Sequence, residues 1–237
     1  MEKALFGAAF FVAYTIQAVT GFAGNIFAMP VGTHLMGLSS SVAVLNAMGF
    51  FACGLLAVVN RKYIYWRELA KMTLGMLPFL ALGIWLDTVL PLPMLLRIYG
   101  VIIVLIGVRN LLSKRQRFLP KWLLAAVVAA AGLIQGMFVS GGAFLVIYAV
   151  QKIKDKQQFR ATLSALWAIL NFLYAVLAFS QGHFTGDVVV TIGICIPLAV
   201  IATFLGQAIQ KRISQEKFLK LTYVLLLLVG VVLLATS

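Results

Sequence analysis

Two short passages of this chain carry residues that suit the binding of a small anion, and each is a copy of the other. Gln17 stands seven residues before Gly24 in IQAVTGFAGNIF, and Gln135 stands seven before Gly142 in IQGMFVSGGAFL. In both, glycines interrupt an apolar run: Gly21 and Gly24 in the first, Gly141 and Gly142 in the second. Behind each break a helix is expected to restart, at Asn25 and at Ala143. A helix start offers free N–H groups and a partial positive charge, so two such starts facing one another would hold an anion. Glycine lets ligand and backbone approach closely. Gln17, Asn25, Gln135 and Ser140 add side-chain hydrogen bonds, and Asn46 and Asn171, one within an apolar segment of each half, extend the set. The competing roles are close helix packing for the glycines and interhelical or backbone bonding for the amides.

The elements that must position these residues are membrane helices. The chain is 63% hydrophobic and 11% charged, with a mean hydropathy of +1.06. No soluble domain of 237 residues buries so much apolar surface, so the solvent is largely lipid. No signal peptide stands apart from the first apolar stretch. Cys53 and Cys195 lie inside apolar runs and read as buried thiols. No nucleotide-binding loop, metal-ligand cluster or catalytic triad pattern is present. Enzyme chemistry, a cofactor and a bound metal therefore have no candidate residues, and transport would be driven by a gradient or by the substrate's own potential, with any coupling ion undetermined.

A net charge of +13 suggests nucleic acid until its placement is considered. Four clusters hold 17 of the 19 basic residues: Arg61 to Lys71, Arg109 to Lys121, Lys152 to Arg160, and Lys211 to Lys220. Each falls between apolar segments, which the positive-inside rule assigns to the cytoplasm. Contact with lipid headgroups is their default role, and nucleic acid is not an expected partner.

Apolar segments fall at about 4–20, 24–38, 40–59, 69–90, 94–112, 122–138, 142–151, 159–180, 187–210 and 217–236, five in each half. The alternation of basic and non-basic loops places both termini outside. An odd unit repeated once is inserted upside down the second time, so the halves 1–113 and 114–237 are expected to form an inverted repeat. Segment 1 aligns with segment 6 at an offset of 118, pairing Gln17 with Gln135 and Gly24 with Gly142. Pro78 and Pro197 correspond at 119, and Gly83 and Gly206 at 123. A spanning helix needs about 20 residues. The seventh segment has half that length, so segments 6 and 7, and by repetition 1 and 2, are expected to form re-entrant hairpins with their turns near the midplane. Irregular backbone survives at that depth only where protein or a water-filled cavity satisfies it.

The acids set the sign of the ligand. Glu2, Glu68, Asp87, Asp155, Asp187 and Glu216 all fall at or near expected loops. A proton relay or a metal-cation carrier keeps a carboxylate inside a span. Its absence favours a neutral or anionic substrate. His34 is assigned a structural role, and Arg97 is expected to snorkel at the outer face.

TGFAGNIFAMP (Thr20–Pro30), followed by Asn46, resembles the first-half motif of the TauE/SafE family of sulfite exporters and toluenesulfonate-uptake permeases. FVSGGAFL (Phe138–Leu145) and FRATLSALWAILN (Phe159–Asn171) resemble the second. The resemblance covers essentially the whole chain. Two departures stand out: Phe22 and Ala23 interrupt the glycine run, and Asn171 does not align cleanly. The resemblance implies movement of sulfite, thiosulfate, sulfoacetate or another sulfonate. The expectation is an all-α, multi-pass transporter of the bacterial inner membrane, not an enzyme. It would work by alternating access of two inverted repeats, with the anion between the Gly21–Asn25 and Ser140–Gly142 turns. A drug/metabolite-type carrier, with ten full spans, and a non-transporting membrane scaffold are the alternatives.

Overall fold

The structure is a computed structural model and describes residues 2–87, 101, 104–105, 108, 119–138 and 141–236. Ser140, Arg97, most of the fifth apolar segment and the basic residues from Arg109 to Arg117 lie outside the described residues. Among the described residues the chain forms nine α-helices and no strand. They are α1 (Glu2–Thr20), α2 (Gly24–Met36), α3 (Leu38–Val59), α4 (Trp66–Asp87), α5 (Lys121–Phe138), α6 (Gly142–Lys152), α7 (Lys156–Ser180), α8 (Gly186–Arg212) and α9 (Gln215–Thr236). A 3-10 turn, Arg61–Tyr63, joins α3 to α4.

Five helices, α1, α3, α4, α7 and α8, are long and apolar enough to cross a membrane. The 13 residues of α2 and the 11 of α6 reach only about 20 and 16 Å at the helical rise, short of a hydrocarbon core of about 30 Å. The first segment is longer than a half-depth hairpin requires: α1 has 19 residues, about 28 Å of helix. Glu2 and Lys3 extend the helix ahead of the apolar run, and the run itself is already longer than half the hydrocarbon core. Large apolar side chains point outward, with Val58 and Leu74 each 67% exposed and Phe179 73%. Such faces suit a hydrocarbon solvent. Glu68, Asp187 and Glu216 sit in the first turns of α4, α8 and α9, where the helix dipole favours a negative charge.

The chain divides into two compact units. The first contains residues 1–69 and 157–212, and the second contains 70–156 and 213–237, so each draws helices from both halves of the sequence. In the first, α1 packs on α2, α3 and α8, and α3 packs on both α2 and α8. Phe6, Phe10, Tyr14, Leu45 and Met48 form its core, with the rings of Phe10 and Tyr14 stacked 4.0 Å apart. In the second, α5 packs on α6, and Gln215 at the start of α9 bonds the Lys154 carbonyl and the Lys156 N–H, at 2.7 and 3.0 Å.

Glycines set the closest approaches in both. In the first unit, a Cβ on Gly206 of α8 would lie 2.5 Å from Ala18 Cβ and 3.0 Å from the Thr15 carbonyl oxygen of α1. In the second, a Cβ on Gly83 of α4 would run into the Leu133 carbonyl and come within 3.0 Å of Gly136 Cα on α5. Thr15 and Ala18 lie 118 residues before Leu133 and Gly136, and Gly83 lies 123 before Gly206. The two seats are therefore built from corresponding positions. Without a hydrophobic drive between helices in lipid, contacts this close supply the packing energy. Gly83→Leu is expected to destabilise the detergent-purified protein by about 1–3 kcal/mol in a thermal melt. Gly54→Ala, where a Cβ meets nothing within 4 Å, should leave the melt unchanged or higher. An unaltered melt for Gly83→Leu would refute the close packing of α4 on α5.

Candidate functional site

The first break is assembled from four helices. α1 ends at Thr20, whose hydroxyl donates to the Ile16 carbonyl at 2.8 Å. Gly21 follows at φ 87° and Ala23 at φ 77°. The left-handed turn is natural for Gly21 and strained for Ala23. α2 then starts at Gly24 with no side-chain cap at Ala23. A Cβ on Gly21 would lie 3.0 Å from Arg160 Cα on α7, so the turn sits directly on that backbone.

Arg160 explains how the end of α1 is satisfied. Its Nη1 donates to the Ala18 carbonyl at 2.9 Å, and its Nη2 to Asn60 Oδ1 at 3.2 Å. Ala18 lies in the last turn of α1, where carbonyls lack helical partners. The sequence groups Arg160 with Lys152, Lys154 and Lys156 as a headgroup-facing charge, but the structure buries it, leaving 2% exposed. Charge spacing alone does not separate a buried arginine from its surface neighbours. The signal that does is its register with Ser164, Trp167 and Asn171 on one face of α7.

The expected site residues of the first half gather around this break. Gln17 lays its amide where a Gly24 side chain would lie and donates from Nε2 to Cys53 Sγ at 2.6 Å. The Asn25 amide turns away from the start of α2, with Oδ1 accepting from the Tyr14 hydroxyl at 2.8 Å. That hydroxyl is also 3.1 Å from the Leu45 carbonyl, one residue before Asn46. Tyr14 thus links Asn25 to the neighbourhood of Asn46, a role that its place in an aromatic run does not reveal. Asn46 donates from Nδ2 to the Val42 carbonyl at 2.8 Å, while its buried Oδ1 has no partner. Asn171, from the second half of the chain, joins the same unit. Its amide rests against Gly49, where a Cβ would lie 2.5 Å from Nδ2.

The second break belongs to the other unit. Gln135 Oε1 accepts from the Gly141 N–H at 2.9 Å, so the glutamine tethers the turn that follows its own helix. A Cβ on Gly141 would run into the Ala131 carbonyl. α6 begins at Gly142, with no side-chain cap at Gly141, and is buried from Gly142 to Val150. Ser140 lies outside the described residues. Both glutamines fold back on the glycine turn that follows them, Gln17 over Gly24 and Gln135 onto Gly141.

Gly24→Ala is expected to cost about 1–3 kcal/mol by overpacking against Gln17. Gln17→Ala should relieve part of that loss, giving non-additive thermal melts across the two single variants and the double. Additive losses would show that the two side chains do not compete for one space.

Such geometry, buried helix starts behind glycine turns with amides packed on or bonded to the turns, suits binding and passage of a small solute, with no nucleophile–base pair among these residues. No curated protein and no solved structure matches the chain. The family model for the sulfite exporter TauE/SafE matches residues 5–233, nearly the whole length. The chain therefore belongs to the TauE/SafE sulfite exporter family of membrane transporters.

Proposed function

We propose that the protein is a secondary transporter that carries a small sulfur-containing or organic anion, such as sulfite, thiosulfate, sulfoacetate or another sulfonate, across the bacterial inner membrane. The observation that carries this reading is the pair of breaks. Each is a buried glycine turn beside a glutamine, Gln17 packed over Gly24 and Gln135 bonded to the Gly141 N–H, and each is followed by a helix too short to span, α2 in one unit and α6 in the other. Short helices that start inside the membrane offer N–H groups and a positive dipole end to an anion. Gln17, Gly21, Gly24, Asn25 and Asn46, and in the second half Gln135, Ser140, Gly141, Gly142 and Asn171, are the residues assigned to binding. Gln135, bonded to the Gly141 N–H, holds the second turn's backbone in place for the ligand, and Gln17 packs over the start of α2.

Alternating access of two inverted repeats, 1–113 and 114–237, is the mechanism assigned to it. The corresponding glycine seats of Gly206 on α1 and Gly83 on α5 support a duplicated chain. The odd number of segments per half and the loop charges support the inversion. Acidic side chains at the starts of α4, α8 and α9, away from the helix centres, support an anion over a cation.

Flux into proteoliposomes across a panel of sulfite, thiosulfate and sulfonates is expected to saturate with the anion and to be insensitive to the accompanying alkali cation. Flux that saturates with a cation and ignores the anion would refute the reading. Gly142→Leu is expected to abolish flux while leaving membrane insertion intact, and full transport by that variant would reduce the second turn to packing.

A further inference from the structure

α7 carries a file of polar side chains with atoms that the contacts at the first break leave unpartnered. Arg160, Ser164, Trp167 and Asn171 recur at spacings of four, three and four, which sets all four on one helix face over about 16 Å. Each is at least nine-tenths buried, with exposures of 2, 0, 7 and 3%. Each also has a buried polar atom without a hydrogen-bond partner: Arg160 Nε, Ser164 Oγ, Trp167 Nε1 and Asn171 Oδ1. The file is anchored at both ends within the first unit. Arg160 bonds Ala18 and Asn60, and Asn171 rests on Gly49. One turn before Gly49 on α3, Asn46 presents its own unpartnered Oδ1.

Buried polar groups are rarely left unpaired in native proteins, and hydrocarbon makes each omission more costly. A run of four on one face is therefore the mark of a ligand or of water that a ligand displaces. Asn171 Oδ1 is an acceptor, and the three groups before it on the face can donate, which sets the sign. A guanidinium Nε–H and an indole N–H only donate, and a hydroxyl can do so. The two groups that Arg160 already bonds are neutral, and the end of the α1 dipole supplies only a fraction of a negative charge. A buried cation so weakly balanced favours an anion beside it. At the 118-residue offset of the two breaks, Ser164, Trp167 and Asn171 correspond to Asn46, Gly49 and Cys53 of α3, whereas Arg160 corresponds to Val42. Polar character at the Ser164 position occurs in both halves; the charge occurs in one.

We propose that this face of α7 is an oxyanion-binding track, in which Arg160 is the fixed charge and Ser164 and Trp167 donate the hydrogen bonds that replace the ligand's water. The ligand class is a compact oxyanion, sulfite or the SO3 head of a sulfonate, whose oxygens accept from several donors at once. This assignment rests on the anion-transport reading above and extends the site from the first break, where Arg160 packs on Gly21, along α7.

The test uses the full chain with Trp66, Trp85 and Trp122, which are 65, 60 and 71% exposed, replaced by Phe so that Trp167 is the sole tryptophan and is excited selectively over tyrosine. Sulfite and ethanesulfonate are titrated separately against potassium chloride of equal ionic strength. A saturable change in Trp167 emission with either sulfur anion, absent with chloride and lost in Arg160→Gln, is expected. In the otherwise native chain, Ser164→Ala and Trp167→Phe should raise the half-saturation concentration for flux about tenfold with little change in maximal flux. Arg160→Lys should retain more binding than Arg160→Gln. A native chain that transports these anions, with unchanged half-saturation in both Ser164→Ala and Trp167→Phe, would overturn the track and leave the transport reading standing. A native chain that transports none of them would overturn both.

Discussion

A helix end that is buried leaves carbonyls with no water to donate to them, and the first unit resolves this at the end of α1 with a guanidinium. Arg160 reaches from α7 to the Ala18 carbonyl in the last turn of α1 and is steadied by Asn60 at the end of α3. Much of the local design follows from that bond. α7 lies against the end of α1, and residue 21 favours glycine because its φ is 87° and a Cβ there would sit only 3.0 Å from Arg160 Cα. The chain then needs a left-handed step to turn back, taken by Gly21 and again, with strain, by Ala23. α2 can begin only beyond that step, at Gly24, over which Gln17 folds its amide.

The same economy of space governs helix pairing elsewhere. Lipid tails are as apolar as leucine, so helices associate through close backbone contact and interhelical hydrogen bonds. Gly206 against α1, and Gly83, Gly132 and Gly136 between α4 and α5, remove the side chain that would hold the backbones apart. Large apolar residues such as Val58, Leu74 and Phe179 are released to the outer surface. The distribution is the reverse of a soluble bundle, in which large residues form the contact and small polar ones face out.

Charge is placed by local environment, and both Glu68 and Arg160 are buried. Three carboxylates stay in the first turns of α4, α8 and α9, where the helix dipole offsets them. A positive charge is buried along α7, with neutral partners. The chain belongs to the sulfite exporter family, and in the oxyanion track proposed above a cation whose charge its protein neighbours do not fully balance would favour an anion.

Much of this was visible in the residues themselves. Composition determined the solvent, hydrophobic runs determined the helices, and the doubled Gln…Gly spacing marked both breaks, because lipid imposes helical periodicity and tolerates interruption only where it is satisfied. The family followed from the order of short motifs along the chain. What the residues did not carry was partnership. Arg160 looked like one more basic residue beside Lys156, Tyr14 like one more aromatic, and Cys53 like an inert thiol, until folding set them against Ala18, Asn25 and Gln17. The grouping of α1 to α3 with α7 and α8 was equally hidden. Periodicity is a property of neighbours along the chain, so sequence alone determines which segments are helical and which faces are polar. A hydrogen bond between residues 142 positions apart, such as Arg160 to Ala18, depends on which helices meet. Only the tertiary structure decided that, because close packing of small residues selects the neighbour.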